Sequence, residues 1–171
     1  MNSSFFDIRP EKPEDSSLIT LILDEAFGLD RMTKTSYRLR EGSVQAPDLA
    51  FVAELDGRLV GTIQFWPVII GASTDALLLG PLAVLPAMQG FGAGLRLIEH
   101  GLGAAAREGH GLVVLVGDAP YYAKAGFKKL PGEVLMPGPF DPERLLCHEL
   151  VPGAAAGVEG MILAPHRTEV A

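Results

Sequence analysis

The 171-residue chain has a single cysteine, a single tryptophan and more acidic than basic side chains. Each shortage excludes something. Cys147, being alone, forms no internal disulfide, which fits a reducing cytoplasm. The longest apolar stretch, ALLLGPLAVLPAM, is broken by Gly80, Pro81 and Pro86. It falls well short of the roughly 18 residues that span a bilayer, so no membrane segment is expected. The start, MNSSFFDIRPEKPEDSS, has no basic segment leading into an apolar one, and no secretory signal is expected there. Against 14 Lys and Arg stand 21 Asp and Glu, a formal net charge of −7. Gripping phosphate backbones needs a basic surface, so a nucleic-acid partner is not expected. An acidic chain does tolerate a cationic substrate such as an amine. His100, His110, His148 and His166 are scattered without zinc spacing, and no metal is expected.

What is present suits one domain. Apolar residues make up 48% of the chain and charged residues 20%, enough for one sizeable core. No repeat or interdomain linker is visible, so residues 1–165 read as one unit with a loose tail from His166. A short strand ends at Pro10. A helix then runs from Pro13 to Phe27, with Leu18, Leu21, Ile22 and Ala26 at helical spacing and Gly28 as its stop. A weaker helix is expected from Arg31 to Arg40. Leu49 to Leu55 and Arg58 to Trp66 flank Asp56-Gly57, a pair favoured in tight hairpin turns. A strand from Asp75 to Val84 leads to a helix over Gly92 to Glu108, whose Leu95, Ile98, Leu102 and Ala105 share a face. GLVVLVG reads as a strand buried on both sides, and APYYAKAG as a short helix. Strands around Leu145 to Val151 and Gly157 to Ala164 complete a β-α-α-β-β-β-α-β-α-β-β order, a mixed α/β fold with a central strand–helix–strand crossover.

One stretch stands out. Gly90, Gly92 and Gly94 lie where the strand hands over to the long helix, although glycine costs a helix interior about 1 kcal/mol relative to alanine. A helix N-terminus offers unpaired N–H groups to an anion, and missing side chains let the anion approach. Close packing of helix on sheet explains the glycines equally well. The Walker pattern GxxxxGK[ST] is absent. A GxGxxG dinucleotide pattern fails at Leu95 when started from Gly90, and at Leu97 when started from Gly92. Asp118, ending the following strand, keeps a dinucleotide in view, but the glycine spacing does not fit one. Pro81 within LLLGPLAV cannot donate to a sheet ladder and predicts a bulge or a splayed edge.

These residues carry a family resemblance. GPLAVLPAMQGFGAGL resembles the acyl-CoA-binding motif of the GNAT acetyltransferase superfamily: a strand, V-x-P, then [QR]-x-x-G-x-[GA]. YYAKAGF is similar to its Y-x-x-x-G-F segment, with Tyr122 four residues before Gly126. LGPLAV, GDAPYYAKAGF and the late ELVPG together resemble the YhbS-like subgroup. The resemblance implies a mostly antiparallel sheet flanked by helices and splayed at the acyl-CoA site. It implies acetyl-CoA as co-substrate, no metal, and direct acetyl transfer to a primary amine. The backbones of Leu82, Ala83 and Val84 would pair with the pantetheine arm, and the N–H groups of Gln89, Gly90, Phe91, Gly92, Ala93, Gly94 and Leu95 would hold the pyrophosphate. Many members carry Asn where this chain has Asp118, so a side-chain contact from Asp118 to the arm is not carried over.

Acyl transfer needs a neutral amine, a polarised carbonyl and a stabilised leaving thiolate. The N–H near Val84 suits the carbonyl. By residue type alone, both tyrosines read as packing residues. With the resemblance, Tyr122 becomes the acid for the thiolate and Tyr121 keeps a packing role. No base is singled out among Asp24, Glu25, Glu54 and Asp75, so a non-catalytic acyl-CoA-binding or regulatory module of the same fold is the alternative. Cys147 reads as a small core residue. The acceptor is left open between a small amine, an amino acid and a protein, and a homodimer is also left open.

Overall fold

The computed structural model describes residues 6–29, 40, 45–46 and 48–165. Its strands are β1 (Asp7–Pro10), β2 (Ala50–Leu55), β3 (Arg58–Ile70), β4 (Thr74–Val84), β5 (Leu112–Val116), β6 (Lys128–Lys129), β7 (Val134–Leu135), β8 (Leu145–Glu149) and β9 (Gly160–Leu163). The helices are α1 (Ser16–Phe27), α2 (Ala93–Arg107) and α3 (Ala119–Ala123). The sheet runs β1-β2-β3-β4-β5-β8-β6, with β9 paired to β3 and to β7. Among the described strands only β4–β5 and β7–β9 pair in parallel. The helix expected from Arg31 to Arg40 and the tail from His166 lie outside the described residues, apart from Arg40 itself, which is buried.

The hairpin forms as its turn residues dictate. Asp56 and Gly57 adopt φ of 53° and 78°, and Leu55 pairs with Arg58. β3 then runs four residues past the expected Trp66, straight through Pro67. Proline is tolerated because Phe65 N–H faces β2 (3.0 Å to Leu49 O), so by strand alternation Pro67 N faces the same edge, in the gap between β2 and β9. β6 and β7, two residues each, were not expected. No helix among the described residues is long and apolar enough to cross a membrane.

Strand alternation divides the core between the two faces. Phe51, Ala53, Ile63, Phe65, Val113 and Leu115 pack with α2, whereas Val52 and Ala83 pack with Ile19, Ile22 and Leu23 of α1. β5 is thus buried on both sides, as its apolar run implied. The buried face of α2 differs from expectation. Leu97 is fully buried and Leu95 only partly, and Gly94 and Gly101 belong to the buried stripe. A Cβ on Gly101 would run into the Phe65 ring, so this glycine sets how closely α2 lies on the sheet.

An ion cluster fastens β1 to the start of α1. Arg9 Nη1 and Nη2 each donate to the Asp15 carboxylate at 2.9 Å, and Arg9 Nε donates to Glu54 Oε2 at 3.1 Å. Lys12 N–H adds a 2.7 Å bond to Asp15, which is 5% exposed. These hydrogen bonds, Arg9 first, hold the Asp15 carboxyl below its ordinary range against the opposing effect of burial. The stabilisation is therefore present above the unfolded pKa of about 3.9 and lost as pH falls through the lowered folded value. Asp15→Asn is expected to cost about 2 kcal/mol in urea unfolding at pH 7. Its deficit against the wild type should shrink below about pH 4; a pH-independent deficit would contradict this assignment.

Candidate functional site

β4 and β5 pair only at Leu77–Val113 and Leu78–Val114. Beyond that point β5 continues along β8 and β4 along β3, so the two strands part. The β3–β4 register shifts between Ile63 and Phe65, opposite the Gly80-Pro81 step. This is the irregularity that a proline without an N–H predicts. Past it, Leu85 N–H donates to Val60 O at 2.8 Å. Alternation then turns the main-chain groups of Ala83 toward β3 and those of Leu82 and Val84 toward the open edge.

The chain next makes a short 3-10 turn, Pro86–Met88, and reaches the glycines. Gly90 and Gly92 have φ of 90° and 92°, and a Cβ at either would meet no protein atom within 4 Å. Their cause is the backbone turn and open space above it, not packing. Gly92 is the N-cap of α2, and Arg96 N makes the first helical bond, 3.1 Å to Gly92 O. The N–H groups of Ala93, Gly94 and Leu95 therefore have no partner within the helix. Gln89 Nε2 donates to Val84 O at 3.1 Å, tying the loop to the end of β4.

α3 supplies the opposite wall. The Asp118 carboxylate accepts from Tyr121 N–H at 3.1 Å and caps this helix, which is how the chain uses an acid at that position. The Tyr122 ring lies edge-on to Phe127 (5.8 Å between centroids), and a Cβ on Gly117 would come within 2.5 Å of it. Burial, with Tyr121 adding to it, pushes the Tyr122 hydroxyl up to about 12. Tyr121 lies edge-on to Tyr122 at 5.0 Å, and burial raises its pKa too.

These walls enclose a cleft of about 540 Å³. Of the residues expected at the site, Leu82, Ala83, Val84, Gln89, Gly90, residues 92–95 and Tyr122 all line it. Phe91 does not; the residue is 62% exposed. The sequence reading missed Ala26, Phe27, Met88 and Lys124, and it gave Tyr121 packing alone. Lys124 was findable, standing one helical turn after Tyr121. Nothing in the sequence links the end of α1 to a loop some sixty residues away. Lys124 is the one charged side chain in the described lining.

None of the four carboxylates considered as base lines the cleft. Glu54 is engaged by Arg9, while Glu25 and Asp75 are exposed, Asp75 near the far end of β4. Among the described residues no group of His, Cys, Asp and Glu could hold a metal ion. His100 packs edge-on to Phe51 at 4.6 Å, and His148 Nδ1 lies 3.1 Å from Gly126 O. His110 sits 3.9 Å from Glu108. Cys147 is buried in β8, and burial pushes its thiol up, away from reactivity.

Comparison with known proteins agrees with this geometry. The model of the acetyltransferase (GNAT) domain family matches residues 46–129. Over 129 residues, 74% of this chain and 71% of the relative, the sequence is 33% identical to the uncharacterized N-acetyltransferase YjhQ of Escherichia coli K12. The fold is similar to that of the GNAT family N-acetyltransferase YhbS from Escherichia coli in complex with CoA. That match has a TM-score of 0.78 and 29% identity, covering 96% of this chain and 92% of that one. It is also similar to a GNAT family acetyltransferase from Brucella melitensis in complex with acetyl-CoA, with a TM-score of 0.62 and 33% identity, covering 84% of this chain and 95% of that one. This chain belongs to the GNAT acetyltransferase family, whose general activity is acetyl transfer to an amine.

Proposed function

We propose that this protein moves an acetyl group from acetyl-CoA directly onto a primary amine, using the cleft between β4 and β5. One observation carries the reading. The β4–β5 ladder ends at Leu78–Val114, and the free N–H groups at the start of α2 face the same cleft. In it, the backbones of Gln89, Gly90 and residues 92–95 hold the diphosphate. The main-chain groups of Leu82 and the carbonyl of Val84, turned to the open edge, pair with the pantetheine amides. Val84 N–H also suits the thioester carbonyl, as an oxyanion donor already in place.

Tyr122 faces the leaving sulfur. A hydroxyl with a pKa of about 12 keeps its proton at every working pH. A free thiol loses its proton near 8.5, so Tyr122 stabilises the departing thiolate mainly by donating a hydrogen bond. With no carboxylate in the described lining, water is the route by which the amine loses its proton. The same observation favours a second reading, a non-catalytic acyl-CoA-binding module. The proposal extends to a single catalytic unit over residues 1–165, acting in the cytoplasm as a monomer or homodimer, with a small amine, an amino acid or a protein as acceptor.

Acetyl-CoA at about 100 times its Kd should stabilise the fold by about 2.7 kcal/mol, a melting rise of roughly 5–10 °C for a chain of this size. No shift with acetyl-CoA, and one with NAD or ATP instead, overturns the assignment. Thiol release across a panel of amines separates the enzyme from the binding module.

A further inference from the structure

Gly94 differs from its two neighbours in the glycine loop. It has no positive φ, and it stands in the first turn of α2, where alanine would favour the helix. Its Cβ position is taken. A Cβ built there would collide with the Tyr121 hydroxyl, with Tyr121 Cζ at 3.6 Å and Val84 Cγ2 at 3.8 Å close by. Tyr121 thus reaches from α3 across to α2 and sets its hydroxyl beside the last residue of β4. Gly94, Val84 and Tyr121 all line the cleft. They meet between the glycine loop, where a diphosphate would sit, and the parted strand, where a thioester would lie.

We propose that Tyr121 is a second ligand-contacting tyrosine, whose hydroxyl, lodged over Gly94 beside Val84, hydrogen-bonds the acyl-CoA arm on its way from the glycine loop to the open edge of β4. This rests on the acetyl-CoA reading above. The two tyrosines then divide the work by position. The Tyr122 ring is held by Phe127 and Gly117 near the end of β5, and its hydroxyl serves the sulfur. Tyr121 serves the arm, with Lys124 Nζ 5.9 Å from the centre of its ring. Gly94 is a glycine because a methyl there would push that hydroxyl into the ligand's path.

The test is a double-mutant cycle on Gly94→Ala and Tyr121→Phe, reading acetyl-CoA Kd by calorimetry, KM and kcat by thiol release, and melting temperature. Tyr121→Phe should raise Kd and KM about threefold to tenfold, the loss of one hydrogen bond, with kcat within about twofold. Gly94→Ala alone should raise Kd at least about tenfold. In the Tyr121→Phe background the clashing atom is gone and the nearest ring carbon is at ordinary contact distance, so adding Gly94→Ala should cost nothing further. An unchanged Kd in Tyr121→Phe overturns the proposal, as does an equal Gly94→Ala penalty in both backgrounds. A fall in kcat with KM unchanged would make Tyr121 the acid instead. Should Gly94→Ala not fold, the Tyr121→Phe measurements decide alone. Failure of the wild type to bind acetyl-CoA at all would instead sink the proposed function.

Discussion

Tyr122→Phe is expected to lower kcat for thiol release by about 10²-fold while acetyl-CoA affinity stays within about twofold. A positioned proton donor contributes typically 10²–10⁴-fold. The low end applies because a hydroxyl with a pKa near 12 stabilises a thiolate by hydrogen bonding more than by giving up its proton. The ring contact with Phe127, and the space Gly117 leaves, involve carbon atoms that phenylalanine retains, so the melting temperature should hold. The pH profile gives an independent check. Tyr122 is protonated below its raised pKa, so the wild-type rate should climb as the amine loses its proton and show no tyrosine-linked decline below about pH 10. Wild type and variant should then run parallel. Equal kcat values would remove Tyr122 from the reaction, and an alkaline decline present only in the wild type would show that its hydroxyl loses its proton within the working range.

Much of the fold could be read where one physical signal dominated. Asp56-Gly57 specified a hairpin because only a narrow set of residues accepts two successive positive φ values, and both are seen. The run at Leu112–Val116 carried no polar residue, which only a strand covered on both faces tolerates. Reading failed where tertiary context overruled local preference. The strand expected to stop at Trp66 runs on through Pro67, because the missing donor falls in a gap between partner strands. Leu95 looked like core by hydropathy, whereas the stripe that meets the sheet includes glycines 94 and 101, which hydropathy scores poorly and close packing selects. The two-residue strands β6 and β7 exist through pairing with β8 and β9 and have no pattern of their own.

The site shows the same division. The glycine loop and Pro81 announced themselves, because residues that local propensity disfavours must be retained for another reason. Their individual causes were not legible. Gly90 and Gly92 answer to backbone conformation and open space, Gly94 to a tyrosine 27 residues away in sequence. Likewise Phe91, counted with the loop, is exposed and does not line the cleft, and Ala26 and Phe27 enter the cleft only because α1 packs across β4.

That division predicts the behaviour of Gly92→Glu, the substitution with the largest expected effect on binding. Its Cβ would meet no protein atom, so the fold loses only what a non-glycine residue pays at φ of 92°, about 1 kcal/mol. The new carboxylate stands at the N-cap of α2, where the ligand's diphosphate would sit. A like charge roughly 4–6 Å away at an effective dielectric near 20 costs about 3–4 kcal/mol before screening. Salt and side-chain movement reduce this to about 2–3 kcal/mol, a 30- to 150-fold rise in Kd. Gly92→Asn is the control, since asparagine accepts left-handed backbone and brings no charge; its Kd should rise several-fold less. Raising the salt concentration should recover part of the affinity of Gly92→Glu and leave the ratio of Gly92→Asn to wild type nearly fixed, because only the former suffers repulsion. If calorimetry finds Gly92→Glu binding acetyl-CoA as the wild type does, no diphosphate lies on the first turn of α2, and the open space above Gly90 and Gly92 belongs to something else.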